Sequence, residues 1–255
     1  MRTPMRRALA LLSVALAAAL LACARTPAPD RAVAIADQVM EALGGKARWD
    51  QLRYLRWTFQ ASVNDTLRPA RRHAWDKYTG WHRVEGTTRS GQAFVYIENL
   101  GDSTGMAWVN GTPIEGDSLR KLMNTAHAYW INDSYWFLMP YKLRDPGVSL
   151  TYDGESKDST GAVRDKIALS FANVGMTPGD RYWVYVDRAS HRVVGWEHLL
   201  QGAEPPPVPW TWEGWEEHDG LWFPTAHRNL TANRILYTNQ VETSSEARPG
   251  EFERP

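Results

Sequence analysis

The sequence predicts a mainly β protein, one large curved antiparallel sheet with helices covering its apolar face. Three observations lead there. From residue 54 onward, apolar side chains recur largely at every second position, the period of a half-buried strand. The alternating segments are joined by turn residues and not by helices, which implies an antiparallel meander of neighbouring hairpins. Helical spacing appears in only two stretches, 31–43 and 117–129.

The elements follow in order. "DRAVAIADQVMEALGG" sets Val33, Ala36, Val39, Met40 and Leu43 on one helical face, with Asp30 as the cap and Gly44-Gly45 as the stop. "YLRWTFQASV" turns Leu55, Trp57, Phe59 and Ala61 to one side and Arg56, Thr58 and Gln60 to the other. "RRHAWDKYTGWHRVEGTT" reads as two strands joined near Thr79-Gly80, and "GQAFVYIENL" as another. "GMAWVNGTPIEG" is a hairpin around Asn110-Gly111, a strong short-range turn signal. The second helix, "DSLRKLMNTAHAYW", groups Leu119, Leu122, Met123 and Ala126, with Asp117 or Ser118 able to cap it. After it comes "NDSYWFLMPYKLRDPGVSL", residues 132–150, where Pro140 and Pro146 predict no long regular element. Strands resume with "VSLTYDGE", "VRDKIALSFA" and "RYWVYVDRASHRVVGWEHLL", the last turning around Arg188 to Ser190. "VPWTWEGWEEHDGLWFPTAHRNLT" turns at Asp219-Gly220, and "NRILYTNQVET" closes the series. No internal repeat divides the chain, so 31–243 reads as a single domain and 244–255 as a flexible tail.

The N-terminus reads as an export signal. Arg2, Arg6 and Arg7 precede an apolar run from Ala8 to Ala22, too short to cross a bilayer and suited to a signal peptide over 1–22. It ends in Leu20-Leu21-Ala22-Cys23, which resembles the lipobox where bacterial lipoprotein precursors are lipidated on cysteine and cut before it. Cys23 is the only cysteine, so it has no disulfide partner in the chain. Residues 23–30 then form a lipidated tether rich in Pro and Ala. Ala24 follows the cysteine where inner-membrane lipoproteins typically carry Asp, which by resemblance directs the protein to the outer membrane, facing the periplasm.

The 29 basic and 29 acidic residues cancel, and loss of residues 1–22 leaves 26 against 29. Neither balance steers the chain to nucleic acid. The compositional anomaly is aromatic: 13 Trp and 10 Tyr join large apolar area to a polar handle, as in pocket walls and interfaces.

Taken together, the lipobox, the helix ending in "ALGG", the first strand with Trp49, Leu52, Leu55 and Trp57, the "YWFLMPYKLRDPG" segment, the "VYVDRASHRVVGWE" hairpin and the late "GLWFPT" resemble uncharacterised bacterial proteins related to the LolA/LolB/RseB superfamily. That resemblance implies a half-open β-barrel with helices packed on or in its concave side, and in the carrier members an apolar cavity for acyl chains. It implies a membrane-anchored envelope lipoprotein, non-catalytic and without a cofactor, that binds lipid or acyl groups in the concavity. Trp57, Phe59, Trp130, Trp136, Phe137, Met139 and Tyr141 are the candidate wall. Two alternatives stay open: a structural or sensory lipoprotein that contacts another envelope protein through a filled barrel, and a carbohydrate-active or cell-wall enzyme.

Catalytic and metal motifs are weak. His73, His82, His127, His191, His198, His218 and His227 are scattered with no HExxH spacing, and His127, beside the aromatic stretch, is the best single candidate. His191 and His218 fall at turns and read as solvated. Glu213, Glu216, Glu217 and Asp219 lack an EF-hand loop, and no GxSxG element is present.

Overall fold

The computed structural model describes residues 30–172, 177 and 179–255. The expected signal peptide, Cys23 and most of the expected tether lie outside the described residues.

Among the described residues there are three α-helices, α1 (Arg31–Ala42), α2 (Lys46–Gln51) and α3 (Gly116–Leu138). The strands in chain order are β1 (Tyr54–Val63), β2 (Thr66–Leu67), β3 (Arg71–Asp76), β4 (Trp81–Thr87), β5 (Ala93–Asn99), β6 (Gly105–Val109) and β7 (Thr112–Pro113). After α3 come β8 (Val148–Lys157), β9 (Val163–Phe171), β10 (Arg181–Asp187), β11 (Val193–Leu199) and β12 (Val208–Thr211). The last are β13 (Glu216–His218), β14 (Leu221–Phe223), β15 (Ala226–Arg228) and β16 (Arg234–Ser244).

All pairings are antiparallel. One sheet runs β15-β16-β1-β3-β4-β5-β6-β7 and a second runs β12-β11-β10-β9-β8. Single bridges, Trp210 to Asn229 and Glu213 to Ala226, stitch the two between β12 and β15. The result is one long curved wrap. Among the described residues no ladder joins its outer strands, β7 and β8, so the barrel is half-open. The turns at Asn110-Gly111 and Asp219-Gly220 have both residues at positive φ, as two-residue hairpins require.

Helix α1 closes one end of the wrap. Asp30 caps it, accepting from the Ala32 amide at 2.9 Å, and Ala32, Ile35, Ala36 and Val39 are buried beneath it. Its C-terminal end is held by backbone: the Trp222 amide donates to the Leu43 carbonyl at 3.1 Å. The Tyr141 hydroxyl lies 3.0 Å from the same carbonyl and 2.8 Å from that of Trp222. Gly44 follows at φ +114°, and a Cβ there would stand 2.1 Å from the Gly220 carbonyl oxygen. The "ALGG" motif therefore serves two needs, a left-handed stop and close approach of two backbones.

Helix α3 departs from the sequence reading. The expected helix over 117–129 runs on to Leu138, and the segment expected to be irregular supplies its last two turns. The 3-10 turn Met139–Lys142 then takes Pro140 at its start, where a missing amide proton is tolerated. Twenty-three residues at 1.5 Å each give a rod of about 35 Å. Its first half packs Ala126, Leu119, Leu122 and Met123 on Val84, Phe94, Tyr96 and Ala107 of the sheet. Its last turns enter the main core, where Trp136 meets Trp196 and Trp210 edge to face, with centroids at 4.6 and 4.8 Å.

The 244–255 segment, expected to be a flexible tail, lies against the convex face. Glu251 accepts from the Arg56 guanidinium at 2.9 and 3.1 Å, and Arg83 donates to the Glu251 and Arg254 carbonyls. Phe252 packs edge-on against the buried Tyr54. The pairing of a half-buried arginine with Glu251, in a charged, Pro-containing segment, has no periodic signal in the sequence.

The Gly44 geometry makes one substitution decisive. Gly44→Ala adds a methyl group that overlaps Gly220 and forces an L residue to positive φ. It is expected to cost at least about 2 kcal/mol, read as a lower urea midpoint with unchanged slope.

Candidate functional site

The concave side of the wrap holds a cavity of about 1560 Å³, larger than the roughly 300–1,000 Å³ of common small-molecule pockets. Its walls are largely apolar and aromatic: Phe59, Tyr135, Trp136, Tyr182, Trp196, Trp210 and Leu236 contribute. A second recess of about 340 Å³ is lined by His127, Trp130, Pro146, Val148 and Phe171, and shares Ile131, Tyr135 and Tyr182 with the first.

The seven sequence-predicted wall residues divide. Phe59 and Trp136 line the large cavity and Trp130 lines the recess. Trp57, Phe137, Met139 and Tyr141 are buried in the closed core and line neither. The reason is the longer α3. Its continuation carries Phe137 inward, between Trp57 and Phe223 with centroids 5.2 Å from each. The aromatic stretch thus both plugs the barrel and, through Trp136, faces the cavity.

Strand register fixes where the cavity opens. Val63 at the end of β1 pairs with Arg234 at the start of β16, and Arg71 at the start of β3 pairs with Gly86 near the end of β4. Thr87 pairs with Ala93, Arg181 with Leu199, and His198 with Val208. All these residues share one rim of the wrap. Arg68, Arg89, Leu200, Gln201, Asn229 and Arg234 line the cavity there. Leu67, Leu200 and Leu230, at 59%, 48% and 61% exposure, are on the same rim. Helix α1 is at the other end: Arg31 pairs with Asp165 near the far end of β9, and Leu43 meets the β13–β14 hairpin.

Behind the cavity wall runs a buried polar chain that spacing alone did not reveal. Arg71, which lines the cavity, forks onto Asp133 of α3 at 2.6 and 2.7 Å. His73 Nε2 lies 2.9 Å from the same carboxylate, and its Nδ1 lies 3.0 Å from His82 Nε2. His82 Nδ1 lies 2.9 Å from Glu98 Oε1, and His127 Nδ1, at the recess, lies 3.3 Å from Glu98 Oε2. Trp57 stacks on the His73 ring at 4.6 Å with the planes 6° apart. His73, His82 and Asp133 have no exposed surface.

Burial raises the Asp133 carboxyl, but bonds from His73 and Arg71 outweigh it and hold the group below its ordinary value. Burial pushes His73 down to about 4, against the pull of Asp133, and also lowers His82. An ionised Asp133 accepts from His73 Nε2–H. The His73 Nδ1 then has only a lone pair to offer, so His82 Nε2–H donates to it. The contact between His82 Nδ1 and Glu98 Oε1 needs a third hydrogen, which those two groups share.

This arrangement suits anchoring better than catalysis. The His73, His82 and Asp133 side chains offer no exposed surface to a substrate, and among the described residues no hydroxyl or thiol nucleophile adjoins either imidazole. Among the described residues no group of three or more His, Cys, Asp or Glu side chains is placed to hold a metal ion. His198 lines the cavity and is lowered by burial, while His227 is buried and pushed to about 3 by the same cause.

No protein-family model matches the sequence, and no functionally curated protein matches it. Solved structures do match. A DUF1329 family protein from Desulfovibrio piger ATCC 29098 aligns over 88% of this chain and 98% of its own, with 10% identity and a TM-score of 0.50. These are likenesses of fold. The LolA superfamily protein NE2245 from Nitrosomonas europaea covers 86% of this chain and 97% of its own at 10% identity and a TM-score of 0.46. The Pseudomonas aeruginosa MucA/MucB complex matches over 86% of this chain and 61% of that one, at 12% identity and a TM-score of 0.24.

Two outcomes follow from the polar chain. Long-range proton–nitrogen NMR is expected to find the Nε2–H tautomer at His73 and a proton on Nε2 of His82. Asp133→Asn removes the charge that Arg71 and His73 face, and is expected to cost about 3–5 kcal/mol in urea unfolding. In the wild type, His73 and His227 stay neutral in the fold but take up protons once unfolded. Stability therefore falls as pH drops from about 6.5 towards 4.

Proposed function

We propose that this chain is a non-catalytic envelope lipoprotein that binds an acyl or similarly apolar ligand in the concavity. The large aromatic cavity carries the reading, because apolar side chains lining so wide a space leave surface that an apolar ligand covers. The half-open seam gives a flexible or branched ligand room that a closed barrel lacks. Export and lipidation at Cys23, with placement in the outer membrane facing the periplasm, belong to the same reading and rest on the signal, the lipobox and Ala24. A contact with another envelope protein is the second reading, favoured by three exposed leucines on one rim.

One preparation tests both parts. Protein extracted from its own envelope is expected to have Cys23 as its first residue with a diacylglyceryl mass, and to carry a reproducible acyl species in native mass spectrometry. Trp136→Ala and Ala61→Trp, which open and fill the cavity, are each expected to weaken that species at least about tenfold. A lipid-free wild type that also ignores added acyl probes leaves the protein-contact reading in its place.

A further inference from the structure

We infer that the ligand is an anionic amphiphile whose acidic head sits at the rim among Arg68, Arg89 and Arg234. This deepens the acyl-binding reading and rests on it. The cavity is asymmetric in charge. Four arginines line it, Arg68, Arg71, Arg89 and Arg234, against one carboxylate, Asp180. Arg71 is neutralised by Asp133, and Asp180 is occupied by the Gln201 amide at 2.7 Å and the Thr177 hydroxyl at 2.6 Å. Among the described residues, Arg68, Arg89 and Arg234 form no ion pair. Most other described arginines do; Arg48, Arg181, Arg192 and Arg254 also form none, but none of these four lines the cavity.

The three free cations also share one rim. Arg68 follows β2, Arg89 lies in the β4–β5 turn and Arg234 opens β16, all at the rim where the cavity opens. Behind them the wall is apolar from Phe59 and Leu236 to Trp196 and Trp210. A cationic mouth over an apolar floor fits a molecule with one acidic end and a long hydrocarbon body. The guanidinium fork donates to carboxylate or phosphate oxygens alike, so the head class is an oxyanion. A cationic or zwitterionic head at the same rim meets repulsion or an unpaired charge.

The experiment compares three ligands of one chain length on the processed full chain: hexadecanoate, hexadecyl phosphate and hexadecanol, followed by tryptophan fluorescence. Both anions are expected to bind at least about tenfold more tightly than the alcohol, with the gap narrowing at high salt. In the triple variant Arg68→Ser, Arg89→Ser, Arg234→Ser the gap is expected to shrink to about threefold or less, with alcohol binding kept. Phosphatidylglycerol vesicles in place of the single-chain anions separate a membrane lipid from a free acid as the source. Equal binding of acid and alcohol by the wild type overturns the head-group inference and leaves the acyl reading standing. A preference that survives in the triple variant moves the head away from the rim and overturns it too. Binding of none of the three overturns the acyl reading and this inference with it.

Discussion

The Asp133 carboxylate is the constraint on which the interior is arranged. It is a full charge with no exposed surface, placed on a helix otherwise packed by apolar and aromatic side chains. Such a group is tolerated only when its lone pairs are met, and here Arg71 and His73 of β3 meet them. Satisfying it fixes the rotation and height of α3 over the sheet. Once α3 is seated, Trp136 falls between Trp196 and Trp210, Phe137 between Trp57 and Phe223, and the two recesses open on either side of Tyr135. Purely apolar packing between a helix and a sheet tolerates sliding. A fork of two bonds onto one carboxylate does not.

The polar chain and the aromatic layer also divide the interior between them. At its last turns α3 is held to β3 by the bonds of Arg71 and His73 to Asp133, and on the β10–β12 side by ring contacts. The cavity lies where neither fills the space. Its walls are thus fixed from two sides by different physics, one sensitive to protonation and one to shape.

Much of the fold was legible in the sequence because it rests on short-range signals. Alternation marked the strands, Asn110-Gly111 and Asp219-Gly220 marked hairpins, and Gly44-Gly45 marked the helix stop. The site was less legible. Reading Pro140 as a breaker of the whole 132–150 stretch ended α3 too early, although proline disturbs a helix only about a turn before itself. That left Asp133 off the helix and Phe137 in a loop. On a continued helix, Asp133 stands four residues before Phe137 and seven after Ala126, on a buried face, a signal that demands a partner. His73, His82 and Glu98 were also within reach. The turn near Thr79-Gly80 sets Trp75 opposite His82, and one further pairing sets His82 opposite Glu98. Treating the histidines as separate points, and not as positions in a ladder, hid the chain they form. The link to Arg71 and the folded-back tail needed three dimensions.

The place of α1 has a further consequence. The helix shuts the end of the wrap away from the rim, and the chain upstream departs from that closed end. With Cys23 as the anchor, seven residues separate it from α1, a reach of at most about 25 Å. In the proposed reading, a leash of that length would keep the closed end next to the bilayer and leave the opening turned outward. Under the proposed lipidation the protein would stand like a cup upright on its own membrane, filled from the aqueous space above it and not from the leaflet beneath.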